Sequence, residues 1–325
     1  MTPALPPLLV IAGATATGKT GLSIRVAEAL ERDGVPVEII SADSRQVYRG
    51  LDIGTAKISE PDRHGIRHHG LDLADPDEPV TLADFAEHAT GALTRIAERG
   101  GLAILVGGTG LYLRAVARGL DTAALPSDAA IRSRIEDELA TAGLGGVVER
   151  LRALAPARAA ATDLRNPRRV VRALEIAELV GDGAPPAYRG YGGPVAWVGL
   201  GLDRAVHRAW IAQRAKGQFD AGLIEEARSL RERFDPGLPP FSAIGYREAW
   251  AVLDGQATVE EAIASDAQRN AAFAKRQRTW FRAEPDIEWL DAADADAAMN
   301  VALDRARRLA EARTRGPIKT GRPAS

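Results

Sequence analysis

Gly13-Ala14-Thr15-Ala16-Thr17-Gly18-Lys19-Thr20 is the stretch of sequence that decides the fold. It matches the phosphate-binding pattern G-x-x-x-x-G-K-[ST] and follows an unbroken apolar run, Leu8 to Ala12. Apolar residues then recur at helical spacing as far as Gly34. A buried strand, a glycine-rich turn and a helix are the context that this motif requires, so the sequence predicts a phosphate-binding loop in an α/β protein.

The residue types of this loop suit a bound diphosphate. Its glycines let backbone N–H groups turn toward an anion at a helix N-terminus, Lys19 adds a positive charge, and the Thr20 hydroxyl is a ligand for Mg²⁺. We therefore predict that residues 13–20 bind diphosphate and that Thr20 holds the metal. A nucleoside triphosphate and an organic diphosphate present the same pair of phosphates, so the loop alone leaves both ligands open.

Further apolar runs predict three more strands along the chain. Val35 to Ile40, Leu102 to Val106 and Val195 to Leu202 are predicted strands, and helical patterns separate or follow them. Alternating strands and helices favour a doubly wound parallel sheet. After Asp203 the chain is predicted to be helical almost throughout.

The predicted domains follow from a gap between the third and fourth apolar runs. About ninety residues with helical periodicity lie there, which indicates a helical insertion over 116–194. Residues 1–115 and 195–312 are then the catalytic core with its C-terminal helices. Residues 313–325 are basic, lack apolar periodicity and are predicted to be a disordered tail.

Length and composition exclude several protein classes. The chain has 325 residues, of which 46% are hydrophobic and 26% charged, so it is neither collagen-like nor disordered overall. No apolar run is long enough for a membrane span, and with no cysteine there are no disulfides or thiolate sites. We expect a soluble cytoplasmic protein, and nothing in the sequence requires more than a monomer.

Charge is distributed unevenly although the net charge is only −2. Arg165 to Arg172 and Arg269 to Arg282 are two basic stripes that contain no acidic residue. A solvated helix face is an ordinary explanation of one such stripe, but two of them favour contact with a polyanion.

Polar residues follow the predicted strands at the edge of the sheet where ligands bind. Asp43 comes after the second strand, where a helix N-cap and a general base are both open roles. Gly107-Gly108-Thr109 follows the third strand, so no carboxylate stands where nucleotide-hydrolysing relatives of the motif hold Mg²⁺.

A set of motifs in this order resembles the bacterial tRNA dimethylallyltransferases, also called tRNA isopentenyltransferases. The resemblance runs from Leu9 to about Arg282. It is carried by Gly13 to Thr20, Asp43 to Tyr48 (DSRQVY), Asp52 to Lys57 (DIGTAK), His68-His69, Gly107 to Leu113 (GGTGLYL), Arg172 to Glu175 (RALE), Gly245 to Glu248 (GYRE) and Ala274 to Arg282 (AKRQRTWFR).

The resemblance implies transfer of a dimethylallyl group from its diphosphate to the exocyclic amine of the tRNA adenosine just 3′ of the anticodon, with Mg²⁺. Asp43 is expected to accept the amine proton, Thr109 to lie near the substrates, and Arg208 or Arg214 to neutralise the leaving diphosphate. The expected tRNA contacts are Asp43, Ser44, Arg45, Gln46, Arg132, Arg168, Arg169, Arg172, Ser242, Gly245, Tyr246, Arg247, Lys275 and Arg276.

Three departures from the family pattern stand out. Ala14 and Thr17 occupy loop positions where the family usually has Pro and Ser, and Gly70-Leu71 replaces the usual Leu-Ile after the histidine pair. Before AKRQ the family commonly has Thr-Arg-Gln, whereas this chain has Asn270-Ala271-Ala272 with Arg269 displaced by two positions. One basic contact to RNA is therefore expected to differ.

Three other functions use the same loop. A small-molecule kinase needs an acidic residue at a neighbouring strand end, which Gly107-Gly108 does not supply. A prenyltransferase that acts on free adenine nucleotides needs neither the helical insertion nor the basic stripes. A nucleic-acid-binding protein without catalysis would form no product from an allylic diphosphate.

Overall fold

The structure is a computed structural model that describes residues 5–122, 125–183 and 187–314. Its strands are β1 (Leu8–Gly13), β2 (Val37–Ser41), β3 (Arg67–His69), β4 (Leu102–Gly107), β5 (Val195–Gly201) and β6 (Ile287–Asp291). Its helices are α1 (Lys19–Arg32), α2 (Leu82–Glu98), α3 (Gly110–Ala117), α4 (Ala129–Leu154), α5 (Pro156–Ala160), α6 (Pro167–Val180), α7 (Arg204–Asp220), α8 (Leu223–Arg233), α9 (Tyr246–Leu253), α10 (Val259–Phe281) and α11 (Ala295–Thr314).

The strands form one parallel sheet in the order β3-β2-β4-β1-β5-β6. β1 lies in the middle, with Leu8 opposite Ala103 of β4 and Gly13 opposite Leu200 of β5. Because every strand runs in the same direction, the segments that follow β1, β2 and β4 emerge at one edge. The phosphate-binding loop, Asp43 and Thr109 therefore lie at the same edge of the sheet.

Helices cover both faces of the sheet. Successive side chains of β1 point to opposite faces, so Leu8 and Val10 join one core with Phe85, whereas Leu9 and Ile11 join another with Leu30. All of these side chains are fully buried. The predicted doubly wound α/β fold is confirmed, and a strand buried on both faces explains why β1 reads as an unbroken apolar run.

Gly119–Gly190 form a smaller compact unit, and the rest of the described chain forms the larger one. Within the smaller unit, Ile135 and Leu151 of α4 pack against Val170 of α6. The predicted insertion, 116–194, contains this unit, while residues 116–118 and 191–194 belong to the larger one. The assignment of this unit to RNA binding remains a prediction.

The structure corrects three details of the predicted order. β3 and β6 are edge strands that were not predicted, and they are short and partly polar. The helix predicted over 205–233 is interrupted at Gly222, where φ is 100°, so it becomes α7 and α8. Helix α11 continues to Thr314, and residues 315–325 of the predicted tail lie outside the described residues.

No helix among the described residues is both long enough and apolar enough to cross a membrane.

Candidate functional site: the phosphate-binding loop and its surroundings

The loop at Gly13 to Thr20 turns from β1 into α1 through left-handed backbone. Gly18, the N-cap residue of α1, has φ 80°, and Ala16 has φ 57°. A Cβ atom at Gly13 would lie 2.8 Å from the Leu200 carbonyl oxygen on β5. Glycine is therefore required at position 13 by the close approach of β5 and at position 18 by the left-handed turn. The turn presents the N-terminus of α1, which attracts anions.

Lys19 is the cation of the loop. In this structure its Nζ donates a hydrogen bond to the Ala14 carbonyl oxygen at 2.6 Å. Burial and then Arg214 lower the pKa of Lys19, and Asp43 acts in the opposite direction, so that the pKa is about 8. A diphosphate would restore the favourable surroundings of the ammonium group. Thr20, the predicted metal ligand, is exposed at the first turn of α1.

Thr15 has all of its polar groups bound by side chains from other elements. Its N–H donates to Gln277 Oε1 at 2.8 Å, its carbonyl oxygen pairs with His207 Nε2 at 2.8 Å, and its hydroxyl accepts from Arg214 at 2.5 Å. Gln277 also donates to the Gly108 carbonyl oxygen at 3.0 Å. The shape of the loop is thus fixed from α7, α10 and the end of β4, and the Thr15 amide is already occupied by Gln277.

Sequence reasoning missed Gln277 and His207. Gln277 belongs to the quoted AKRQ motif, so a signal for it was present. His207 lies on the inward face of α7 with Ile211, Arg214 and Gln218, at helical spacing, and is 1% exposed. Its Nδ1 lies 2.8 Å from a guanidinium nitrogen of Arg278. It therefore connects Arg278 to the loop.

Asp43 follows β2 and caps the turn after it. Its Oδ1 accepts from the Arg45 amide at 2.8 Å and from the Gln46 amide at 3.4 Å. Both Lys19 and Arg214 interact electrostatically with this carboxylate. The N-cap role and the base role are compatible, because the cap uses Oδ1 while the carboxylate as a whole interacts electrostatically with the two cations.

Thr109 connects the ends of β2 and β4. Its hydroxyl accepts from the Ser44 amide at 3.1 Å and lies 3.5 Å from the Ser44 hydroxyl. A Cβ atom at Gly107 would lie 2.2 Å from the Ala42 carbonyl oxygen, so the two strand ends approach as closely as glycine allows. This contact holds Asp43 near the loop.

The two candidate arginines of α7 have different surroundings. Arg214 is half-buried with its Nε shut off from solvent, and burial lowers its pKa although Asp43 and Asp266 oppose that shift. Arg208 is exposed, and it lies six residues away on another face of the helix. This geometry favours Arg214 over Arg208 as the group beside the phosphates.

Several residues predicted to contact tRNA are bonded inside the protein. Arg45 donates to the Pro239 carbonyl oxygen at 2.9 Å and to the Ser242 hydroxyl at 2.8 Å. Gln46 donates to the carbonyl oxygens of Thr55 and Ala56. These bonds hold the segment after β2 to its neighbours, and Ser242 itself remains exposed.

Tyr246, one of the expected tRNA contacts, lies in the interior. Its side chain is 0% exposed, and its hydroxyl donates to Glu226 at 2.7 Å. A Cβ atom at Gly54 would lie 2.6 Å from the ring, so Tyr246 fills a closed packing site. The expected tRNA contact of Tyr246 stays a prediction, and exposure of its side chain does not support it. Gly245 is likewise buried, with φ 108°, whereas Arg247 is exposed.

Helix α10 carries both exposed and paired cations. Lys275 and Arg276 are exposed, with Arg276 5.6 Å from the Phe273 ring. Arg269, the displaced arginine, donates to the buried Glu248 carboxylate at 2.5 Å. Its role in this structure is therefore to neutralise Glu248.

The predicted arginines of the smaller unit fall into two groups. Arg132 and Arg172 both pair with Glu175, whose side chain is fully buried. Arg168 and Arg169 are exposed on α6 and help line a cavity of about 460 Å³. The second pair is available to a polyanion, while the first pair holds α4 and α6 around a buried carboxylate.

Comparison with known proteins gives a consistent result. The family model described as IPP transferase matches residues 46–284. A protein named tRNA dimethylallyltransferase from Pseudarthrobacter chlorophenolicus is 42% identical over 301 residues, which are 91% of this chain and 97% of that protein.

Comparison with solved structures gives the same result as comparison with sequences. The full-length tRNA isopentenylpyrophosphate transferase of Bacillus halodurans is 37% identical, with a TM-score of 0.68 over 95% of this chain and 98% of that one. A eukaryotic dimethylallyltransferase acting on tRNA has a TM-score of 0.75 over 98% of this chain and 82% of that chain. At 24% identity, this last likeness concerns the fold alone.

Proposed function

The chain belongs to the IPP transferase family, and from that premise we propose that it transfers a dimethylallyl group from dimethylallyl diphosphate to an adenosine of tRNA. The observation that carries the chemistry is the placement of Lys19 and Arg214, two half-buried cations, at a phosphate-binding loop, where Asp43 interacts electrostatically with both. The relatives are transferases that act on tRNA by name, which supports the acceptor.

We propose that the acceptor atom is the exocyclic N6 of the adenosine 3′-adjacent to the anticodon. The N6 lone pair forms a bond to C1 of the dimethylallyl group as the C1–O bond to diphosphate breaks, and the bonding electrons leave with the diphosphate. The proton from N6 passes to Asp43. A base that is stacked in the anticodon loop must leave the stack to reach this site.

Stabilisation of the leaving group is assigned to the loop and to α7. Lys19, the amides at the start of α1 and Arg214 face the oxygens on which negative charge develops. Thr15 positions Arg214 through a hydrogen bond, and Gln277 and His207 hold Thr15. Thr109 positions the segment that carries Asp43.

We propose Mg²⁺ as the divalent metal, with the Thr20 hydroxyl as its protein ligand. The exposed hydroxyl at the first turn of α1 is an oxygen donor, the ligand type that Mg²⁺ prefers, so the residue fits the ion. When bound, Mg²⁺ supplies charge neutralisation for the departing diphosphate.

For tRNA we propose contacts from side chains that are exposed. They are Arg168 and Arg169 of the smaller unit and Ser242, Arg247, Lys275 and Arg276 of the larger one. Their exposure supports contact with phosphates, which dominate affinity for nucleic acid. We further propose that the enzyme acts in the cytoplasm, as a monomer, with the smaller unit devoted to tRNA.

The test is a reaction with dimethylallyl diphosphate and Mg²⁺, with unmodified tRNA, AMP and ATP as parallel acceptors. We expect mass analysis of nucleosides to show a C5H8 addition to one adenosine of tRNA and none to AMP or ATP. Prenylated AMP or ATP without modified tRNA would instead indicate an enzyme for free nucleotides. Phosphate transfer from ATP would indicate a kinase.

A further inference from the structure

Asp266 is a buried carboxylate for which the proposed mechanism has no role. It lies on α10 with Asn270 and Gln277 on the same face, and it is 0% exposed. Its Oδ1 accepts from the Asn270 amide group at 2.7 Å. Its Oδ2 is buried and has no hydrogen-bond partner among the described residues. Keeping this carboxylate ionised costs free energy, because one of its two oxygens is buried without a hydrogen bond.

Charged groups surround Asp266 from several elements. Glu248 of α9 and Arg269 of α10 interact with it, although these two already pair with each other. Arg214 of α7 lies in the same neighbourhood without touching Asp266: it donates to the Thr55 carbonyl oxygen at 3.4 Å, and a Cβ atom at Gly245 would lie close to both Asp266 Oδ2 and the Cα of Gly54, the residue before Thr55. Its charge favours the ionised form of Asp266. The backbone closes the remaining side, because a Cβ atom at Gly245 would lie 3.2 Å from Oδ2. Among the residues that the structure describes, Arg214 is the cation near Asp266 that is not already paired with a carboxylate, and its own Nε is buried without a hydrogen-bond partner there.

Arg214 connects Asp266 to the loop that binds phosphate. One nitrogen of its guanidinium donates to the Thr15 hydroxyl, while its charge is shared between Asp43 and Asp266. A diphosphate in the loop would add several negative charges beside the same guanidinium. Like charges that approach in a buried site cannot all stay ionised at low cost, and the carboxylate with the poorest solvation is the one that takes up a proton.

We propose that Asp266 is an affinity-setting residue of the donor site, the counter-charge of Arg214 in the free enzyme, which takes up a proton when diphosphate binds. The inference rests on the proposed function, since it requires diphosphate beside Arg214. In the reverse direction, release of product diphosphate returns the proton to solvent. Asp266 thereby opposes tight binding of the product.

The protonation equilibrium is in the range that this role needs. Burial raises the pKa of Asp266, Asn270, Arg214 and Arg269 act against that shift, and Glu248 adds to it, so that the pKa is about 6. A bound anion raises the pKa again. The free carboxylate is therefore mostly ionised at pH 7, and a modest further shift is enough to protonate much of it.

The experiment is calorimetric titration of the full chain with inorganic diphosphate and Mg²⁺, in buffers of different ionisation enthalpy, for wild type and Asp266→Asn. Protons taken up by diphosphate itself are the same for both proteins, so the difference reports Asp266. We expect wild type to take up about half a proton more near pH 6.5. The variant, which resembles the protonated state, should bind about tenfold more tightly at pH 8 and equally well at pH 5.

Glu260→Gln, an exposed residue in the first turn of the same helix, is the matched control and should behave as wild type. Asp266→Ser is the substitute if the asparagine variant does not fold, as judged by its melting curve. Equal proton uptake in wild type and variant would overturn the inference. Weaker binding by the variant at every pH would overturn it too, because Asp266 would then hold Arg214 in position. If wild type itself does not bind diphosphate, the donor site of the proposed function fails instead.

Discussion

The two groups of cations in this protein are built in opposite ways. Lys19 and Arg214, at the phosphate-binding loop, are partly enclosed, make defined hydrogen bonds, and have pKa values lowered by burial. Arg168 and Arg169, on α6 of the smaller unit, are exposed. Enclosed cations are fixed in geometry and strengthened by low dielectric, which suits a reacting group. Exposed cations suit a polyanion held by many weak, screened contacts.

Asp43→Asn is the strongest test of the enclosed group. Asparagine keeps the oxygen that accepts from the amides of Arg45 and Gln46, so the turn should survive, but it cannot accept the N6 proton. We expect kcat to fall by about 100-fold or more, with tRNA affinity within about threefold of wild type. Single-turnover rates and tRNA binding are the measurements. Wild-type turnover would remove Asp43 as the base.

Lys19→Met should have the next largest effect. The substitution removes the charge that faces the diphosphate, and we expect kcat/KM to fall by about 100-fold. Because the ammonium is desolvated in the free enzyme, the melting temperature should stay near that of wild type. Arg208→Ala, which changes an exposed arginine of α7, is the control and should keep donor affinity. A collapse of stability in Lys19→Met would show that the lysine serves the fold instead.

A contrast between buried and exposed segments also explains which strands could be predicted from the sequence. β1, β2, β4 and β5 lie close to their predicted positions because strands buried on both faces must be apolar throughout. The edge strands β3 and β6 need no such run, so their composition carries little signal.

At the site, motif spacing predicted roles for the loop and for the acidic residue after β2, but it could not reveal which charges are paired. In the sequence nothing distinguishes Arg132 from Arg168 as a candidate RNA contact. The ion pair between Arg132 and Glu175 forms only in the folded protein. Tyr246 in a shared motif was interpreted as an RNA contact, whereas its hydroxyl bonds Glu226 in the interior. His207 and Asp266 come from segments without a distinctive pattern, and tertiary packing alone gives them their positions.

The pH dependence of donor binding is a further test of the enclosed cations, and its expected effect is smaller than that of the two substitutions. The pKa of Lys19 is about 8 in the free enzyme, and a bound diphosphate favours the charged form and raises that pKa. The Lys19 contribution to affinity should therefore be full well below pH 8 and be lost as the pH rises through that value, so that affinity falls by about fivefold between pH 8 and pH 9, above the range in which Asp266 titrates. The measurement uses an unreactive allylic diphosphate analogue whose own ionisation is complete in this range. Lys19→Met should bind weakly with a flat profile, and a flat profile for wild type would contradict the assignment.

The exposed group is tested by the salt dependence of tRNA binding, where the expected change per residue is smallest. Arg168→Ala combined with Arg169→Ala should reduce the slope of log K against log salt concentration by about 1 to 2, because each lost phosphate contact removes close to one released counterion. Melting should be unchanged, since both side chains are exposed.

Arg132→Ala supplies the contrast within the same unit. It weakens the neutralisation of the fully buried Glu175 side chain, which keeps Arg172 as a partner, so it should lower the free energy of unfolding by about 1–3 kcal/mol. Its salt slope should change less than that of the double variant. If Arg132→Ala instead lowers the slope and spares stability, then a cation paired with a buried carboxylate also serves RNA, and the division between enclosed and exposed charges does not hold in the smaller unit.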